Sequence, residues 1–246
     1  MTERSASALF RDRDTLAIGP SSLHWDGQVL IVRINEVDTP SLRNIRGEVR
    51  ITPHSIGASD FALDSAAQHR WRPIAPCSRV EVKLQRPGIS WSGEGYFDSN
   101  FGKVPLENSF SGWHWSRARL PDGAAVLYDI RERPASGADA GEEAGAQRSL
   151  ALRFREDGSA ERFAPPPTSA LASTRWRIAR DSRSEAGSPA GIVSTLEDTP
   201  FYARSLVSGK LLGQQVESFH ESLDLDRFRR RWVQWLLHFR TPRVGR

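Results

Sequence analysis

The sequence predicts an all-β protein of antiparallel barrels or sandwiches. Three observations predict it: strict alternation in Arg79-Val80-Glu81-Val82-Lys83-Leu84, several short apolar runs, and turn residues between those runs. In chain order, strands are expected over 29–37, 47–52, 79–84, 89–97, 125–130 and 150–154. In 79–84, Val80, Val82 and Leu84 share one face and the charged residues take the other. Asp26-Gly27, Arg86-Pro87-Gly88, Pro121-Asp122-Gly123 and Asp157-Gly158 supply the turns. Many short strands at this spacing argue against a βαβ fold.

Residues 135–147 are small, Gly- and Glu-rich; a domain linker is one reading, and a long disordered hairpin loop joining the 125–130 and 150–154 strands as partners is the preferred one. Pro165-Pro166-Pro167 is a second, stiffer break. One helix is expected, at the C-terminus. Asp224 caps it, Phe228, Trp232, Trp235, Leu236 and Phe239 form one stripe, and Pro242 ends it. Such a stripe fits a helix packed on a β domain. Arg229, Arg230, Arg231 and Arg240 around it keep a membrane-surface reading open.

At 246 residues the chain can form one large β domain or two smaller ones. Its 38% hydrophobic and 26% charged residues exclude global disorder. Cys77 is the only cysteine, which excludes an intrachain disulfide and fits a buried thiol in a reducing compartment. No run approaches the roughly 20 apolar residues that span a bilayer. Met1-Thr2-Glu3-Arg4-Ser5 lacks the apolar region of a signal peptide, so a cytoplasmic or peripherally membrane-bound protein is expected. The net charge of +4 is carried by arginine, with Lys83, Lys103 and Lys210 the only lysines. No basic-aromatic module of a nucleic-acid reader is present, and no nucleic-acid partner is expected.

The chemistry concentrates in Gly93-Glu94-Gly95-Tyr96-Phe97-Asp98-Ser99-Asn100-Phe101-Gly102. Glycines that interrupt a strand predict a bend or a close backbone approach. Phosphate-loop, dinucleotide, His-Glu-x-x-His and Gly-x-Ser-x-Gly signatures are missing, and the six histidines lack metal-ligand spacing. A cofactor-free and metal-free site is therefore expected. What remains is carboxylates among aromatics: Asp98 beside Tyr96 and Phe101, Glu107, and Asp129 beside Tyr128. Trp113 and Trp115, two apart, share a face of any strand that holds them. They fit a barrel core as well as a ligand wall, and Asp98 and Glu107 fit turns and ion pairs as well as chemistry.

Gly95-Tyr96-x-Asp98-x-Asn100-x-Gly102, Pro105-Leu106-Glu107, Phe110, Trp113-x-Trp115-Ser116-Arg117-Ala118 and Leu127-Tyr128-Asp129 resemble the bacterial carotenoid 1,2-hydratase family, also called hydroxyneurosporene synthases. Residues 18–27 and Arg72-Pro73-Ile74-Ala75-Pro76-Cys77 fit the same family. The similarity runs from the N-terminus through at least Asp129. Members often have His-Asn-Trp where this chain has Ser99-Asn100-Phe101, so a histidine role does not carry over there. Members usually carry further strands before a segment like Met1-Thr2-Glu3-Arg4, so the first barrel is expected to be incomplete.

The resemblance implies two successive lipocalin-like barrels, 1–109 and 110–246, with a junction near Ser109 and the glycine-rich motif between them. It implies addition of water to the terminal C1–C2 double bond of an acyclic carotenoid such as neurosporene or lycopene. Asp129 is then expected to be the proton donor, with Tyr128 beside it. Asp98 or Asn100 would hold the water, and Trp113 or Trp115 would stabilise a tertiary cation. Tyr96 and Phe101 complete the substrate-binding set. Two alternatives share the fold: a non-catalytic carrier of an apolar ligand, and an isomerase or cyclase acting on another terpenoid. A membrane-dissolved substrate implies peripheral contact with the bilayer through the C-terminal helix; the sequence leaves the oligomeric state open.

Overall fold

The computed structural model describes residues 2–38, 41–134, 146–237 and 241–242. Most of the small-residue stretch (135–145), His238, Phe239 and Arg240 lie outside the described residues. The described chain is overwhelmingly strand, and nearly all pairing is antiparallel; the exception is Thr2–Glu3 beside Thr241–Pro242. Two compact units are built from interleaved segments. The first comprises Met1–Ile56, Ala75–Phe97 and Trp235–Arg246, and the second Gly57–Ile74 and Asp98–Gln234.

In the first unit, Leu9–Arg11, Thr15–Ile18, Ser21–Trp25, Leu30–Val37 and Asn44–Pro53 pair in sequence order as a meander. Asn44–Pro53 then pairs with the later part of the long His69–Arg86 strand, setting Val49 opposite Val82 and Ile51 opposite Val80. The expected face of Val80, Val82 and Leu84 is the one turned inward there, with Val82 buried. Cys77 is buried and free. Gly95 lies so close to this strand that a Cβ on it would meet Val80 Cγ2 at 2.1 Å.

The second unit holds a seven-stranded antiparallel sheet. Its order is Ala160–Arg162, Gln147–Arg155, Gly123–Glu132, Phe110–Leu120, Gln214–Asp224, Tyr202–Leu211 and Gly191–Asp198. Gly123–Glu132 and Gln147–Arg155 are partners, as their sequences predict, with Tyr128 opposite Leu150. The expected junction at Ser109 falls inside this unit, at the end of the short helix Leu106–Ser109. A hairpin of Thr168–Leu171 and Arg180–Arg183 adds a separate two-stranded sheet.

Two of the last strands of the large sheet, Tyr202–Leu211 and Gln214–Asp224, escaped the hydrophobic pattern for a physical reason. Their buried positions mix small and polar residues with apolar ones: Ala203 and Ser205 with Val207 and Leu211 on one, Ser218, His220 and Ser222 with Val216 and Leu223 on the next. Period two is present in burial but not in hydropathy.

The single C-terminal helix expected from the sequence is two short ones, Leu225–Phe228 and Arg231–Leu237, interrupted at Arg229-Arg230. Asp224 does cap the first, its Oδ1 accepting from the Arg227 amide at 2.9 Å. The break rotates the stripe out of register. Val233 becomes the buried residue, while Trp232 and Trp235 are 45% and 67% exposed and Leu236 is also exposed. Phe228 packs edge-on against Phe201 at 5.1 Å.

Candidate active site

Alternation along Phe110–Leu120 gives the seven-stranded sheet two chemically different faces. Trp113 and Trp115 point to one, with Tyr128 and Ile130 from the neighbouring strand; His114 and Ser116 point to the other, with Asp129 and Leu127. The adjacent residues Tyr128 and Asp129, expected to work together, are thereby sent to opposite sides.

The first face is aromatic. Tyr128 is 2% exposed and lies between two indoles, Trp71 at 5.7 Å and Trp113 at 5.8 Å, both edge-to-face. Trp71 is fully buried and contacts Phe61 at 5.5 Å and Phe154 at 6.4 Å. Phe110 packs on Trp113 and on the ring of His69. Into this wall comes Asp98: the Trp71 indole donates to its Oδ2 at 2.7 Å. Burial, then the nearby Asp98 and Glu221 charges, push the Tyr128 phenol above its ordinary range, so it stays protonated.

Local sequence explains the placement. His69 and Trp71 alternate along the start of His69–Arg86, a run buried at His69, Trp71, Pro73 and Ala75. The His69 ring bonds to Ser109 Oγ through Nε2 at 3.0 Å. On its other side Gly102 approaches so closely that a Cβ there would lie 2.2 Å from Nδ1. The expected close approach at the glycine motif is therefore real at Gly102, where only hydrogen fits. At Gly93 it is not: the nearest atom, in Trp91, is at ordinary contact distance.

The second face carries an apolar cluster around Leu127, Ala118 and Ala125, and is polar toward Asp129 and His114. Asp129 was expected to sit among aromatics; its neighbours are instead Arg183 and Ser149. Arg183 donates through Nε to both carboxylate oxygens, at 2.9 and 2.8 Å, and through Nη2 to Oδ1 at 2.7 Å. Ser149 Oγ donates to Oδ1 at 2.5 Å. Both oxygens thus act as acceptors in a bidentate pair, 13% exposed on either side.

Nearby, Arg131 Nη1 lies 3.0 Å from His114 Nε2. Arginine can only donate, so Nε2 accepts, and the ring proton sits on Nδ1, which donates to Ser222 Oγ at 3.1 Å. Asp181 Oδ2, at 3.6 Å from Nε2, would favour a charged ring. Burial, then the Arg131 charge and His220, outweigh it and hold the His114 pKa down from 6.5 to about 3. His220 stacks on His114 at 5.8 Å and donates through Nε2 to the Asp181 carbonyl at 2.8 Å.

Of the residues singled out from sequence, Asp98, Tyr128 and Trp113 converge. Trp115 is half-buried on the same sheet face, opposite Tyr128 and Glu221 in register. Asn100 and Phe101 are exposed, and Glu107 contributes its backbone carbonyl to Arg133. Tyr96 is half-buried and belongs to the first unit. His69, Trp71, Phe61, Phe110 and Phe154 were missed as site residues. The alternating His69-x-Trp71 was the legible signal: a strand that buries both points them to one place.

Comparison with known proteins agrees with the motif reading. A family model described as carotenoid hydratase CrtC matches residues 1–246. The chain belongs to the CrtC family. This CrtC member is 50% identical over 246 residues to an acyclic carotenoid 1,2-hydratase of Thiocapsa roseopersicina, covering 100% of the chain and 58% of that relative. It is 46% identical over 244 residues to one from Rubrivivax gelatinosus, covering 99% of the chain and again 58% of the relative. The chain thus spans little more than half the length of these two relatives. A crystal structure of an AttH candidate from Nitrosomonas europaea superposes with a TM-score of 0.59 at 15% identity, covering 89% of this chain and 72% of that one. That likeness shows the fold of this CrtC chain, an antiparallel lipocalin-like β architecture.

Proposed function

We propose that the chain carries acid-catalysed hydration of the terminal C1–C2 double bond of an acyclic carotene such as neurosporene or lycopene, with Asp98 as the acid. The observation that carries this reading is the hydrogen bond from the Trp71 indole to Asp98 beside the buried Tyr128. An isolated trisubstituted alkene is a very weak base, so the donor must be a carboxylic acid next to an apolar wall. An indole N–H is neutral and can donate to either protonation state of a carboxyl. Asp98 can therefore keep this anchor while it gives up a proton and takes one back. Asp129 has no oxygen disposed to carry a proton outward, since guanidinium and hydroxyl donors occupy both.

In the proposed cycle the alkene π electrons take the Asp98 proton, forming the C2–H bond and leaving a carboxylate. The tertiary cation at C1 faces the indole of Trp113, worth about 2 kcal/mol when desolvated. Water adds its lone pair to C1, and its surplus proton returns to Asp98. Water is consumed and the acid is regenerated. Tyr128, kept protonated, can donate to the incoming water or the Asp98 carboxylate without competing as a base.

The test is co-expression of the chain in a lycopene-producing host, with carotenoid masses as readout. A gain of one or two waters is expected, and none with Asp98→Asn at equal amounts of folded protein. Normal product from Asp98→Asn would remove Asp98 from the acid role. Unmodified polyene co-purifying with the intact chain would replace catalysis with carriage.

A further inference from the structure

We infer that the second unit docks on anionic lipid surfaces through a stacked tryptophan pair, Trp176 and Trp232, set among exposed arginines. The two indoles lie 6.1 Å apart at 26°, and each remains nearly half exposed, 46% and 45%. Two large aromatic rings stacked on one another and left facing water are costly in a protein that has a core to hide them in. Amphipathic indoles are enriched where a protein meets the headgroup region of a bilayer.

The pair is held in place rather than left loose. Trp176 sits on the turn between Thr168–Leu171 and Arg180–Arg183, and Arg177 there adopts a left-handed backbone, φ 57°. The amides of Arg175 and Trp176 donate to Asp198 Oδ2 at 2.9 and 3.3 Å. Arg227 donates from the capped helix Leu225–Phe228 to the carbonyls of Trp176 and Arg177. The turn carrying one indole is thereby clamped to the segment that leads into the other.

Charge says what covers this surface. Arg175 and Arg177 flank Trp176, and Arg229-Arg230-Arg231 precede Trp232; all five are exposed and none forms an ion pair among the described residues. Carboxylates near these two segments have other partners: Asp224 pairs with Arg227, Asp226 with Arg133, Asp181 with His114, and Asp198 accepts from the turn amides. A second copy would bring the same arginines and repel. An anionic bilayer supplies both an apolar layer for the indoles and negative headgroups for the guanidinium groups, each arginine adding about 1 kcal/mol. This surface would bring the proposed site to a membrane-dissolved polyene, but it stands on geometry and charge without that reading.

Carotene-free vesicles test it directly. The intact chain should float with vesicles of equal phosphatidylglycerol and phosphatidylcholine, bind pure phosphatidylcholine about tenfold more weakly or less, and release in high salt. Changing Arg175, Arg177, Arg229, Arg230 and Arg231 to Gln should remove most of the binding. Changing Trp176 and Trp232 to Ser should remove the blue shift of tryptophan emission on binding. Circular dichroism and melting of both variants check that the fold is kept, and single Arg→Gln changes give graded losses if the five-fold variant melts. No flotation by the intact chain, equal flotation by the arginine variant, or concentration-dependent dimerisation that quenches Trp176 and Trp232 would each overturn the inference. Failure here leaves the hydration test untouched, and the reverse holds too.

Discussion

Asp98 meets the aromatic face of the seven-stranded sheet and Asp129 lies on the opposite one, each with its own anchor. Asp129 is wrapped by the Arg183 guanidinium and the Ser149 hydroxyl, a saturated ion pair close to buried. Asp98 accepts from the neutral indole of Trp71 in an aromatic wall. The bidentate pair holds Asp129 in place, while in the proposed reading the indole anchor of Asp98 is kept in either protonation state of the carboxyl. Adjacent residues in the sequence, Tyr128 and Asp129, are thus sent to different surroundings by nothing more than the pleat of a strand.

The largest effect that could break this contrast is on stability. Asp129→Asn should strand the Arg183 charge and cost about 3–5 kcal/mol in urea unfolding. Activity per folded molecule should survive. If Asp129→Asn folds normally and loses hydration, the roles of the two carboxyls are reversed.

The aromatic face is sharpened by graded replacement of Trp113. Trp113→Leu should lower turnover about 30-fold if the indole supplies about 2 kcal/mol to the cation. Trp113→Phe should fall in between, with a smaller change in melting temperature. Equal losses for both, tracking melting temperature, would leave Trp113 as packing alone.

The smallest effect is pH dependence on the polar face. His114 has its folded pKa depressed to about 3 from 6.5, so the unfolded chain takes up the proton first on acidification. Its stabilising contribution is whole above pH 6.5 and is lost progressively as pH falls toward 3. Between pH 6.5 and about pH 4.5 the loss is about 2–3 kcal/mol. Urea midpoints of the intact chain should drop over that window, and those of His114→Gln should drop less. Parallel profiles would mean that His114 titrates as an open histidine and that the face is wetter than its contacts imply.

Much of the fold was legible because strand alternation and Gly-containing turns are local signals. Val80, Val82 and Leu84 pointed inward as their spacing required, and Gly123–Glu132 found Gln147–Arg155 across a long insertion. The site was half legible. Asp98, Tyr128 and Trp113 lay in motifs dense enough to mark them, but a partner 54 residues away decided the fate of Asp129, and another 27 residues away anchored Asp98. Nothing local to Leu127-Tyr128-Asp129 announces Arg183. The C-terminal stripe failed differently: helical spacing was right over each short piece, but two consecutive arginines broke the phase between them.

The fixed proton on His114 makes that ring a spectroscopic witness. Free imidazole mostly carries its proton on Nε2, whereas here Arg131 reserves Nε2 as an acceptor and Ser222 receives the Nδ1 proton. In a nitrogen-15 spectrum the ring should show the rarer pattern, with a slowly exchanging Nδ1 proton resolved from the open histidines. Because His114 stands in the same strand as Trp113, with its side chain on the opposite side, its resonances would report whether ligand on the aromatic face disturbs the backbone between them.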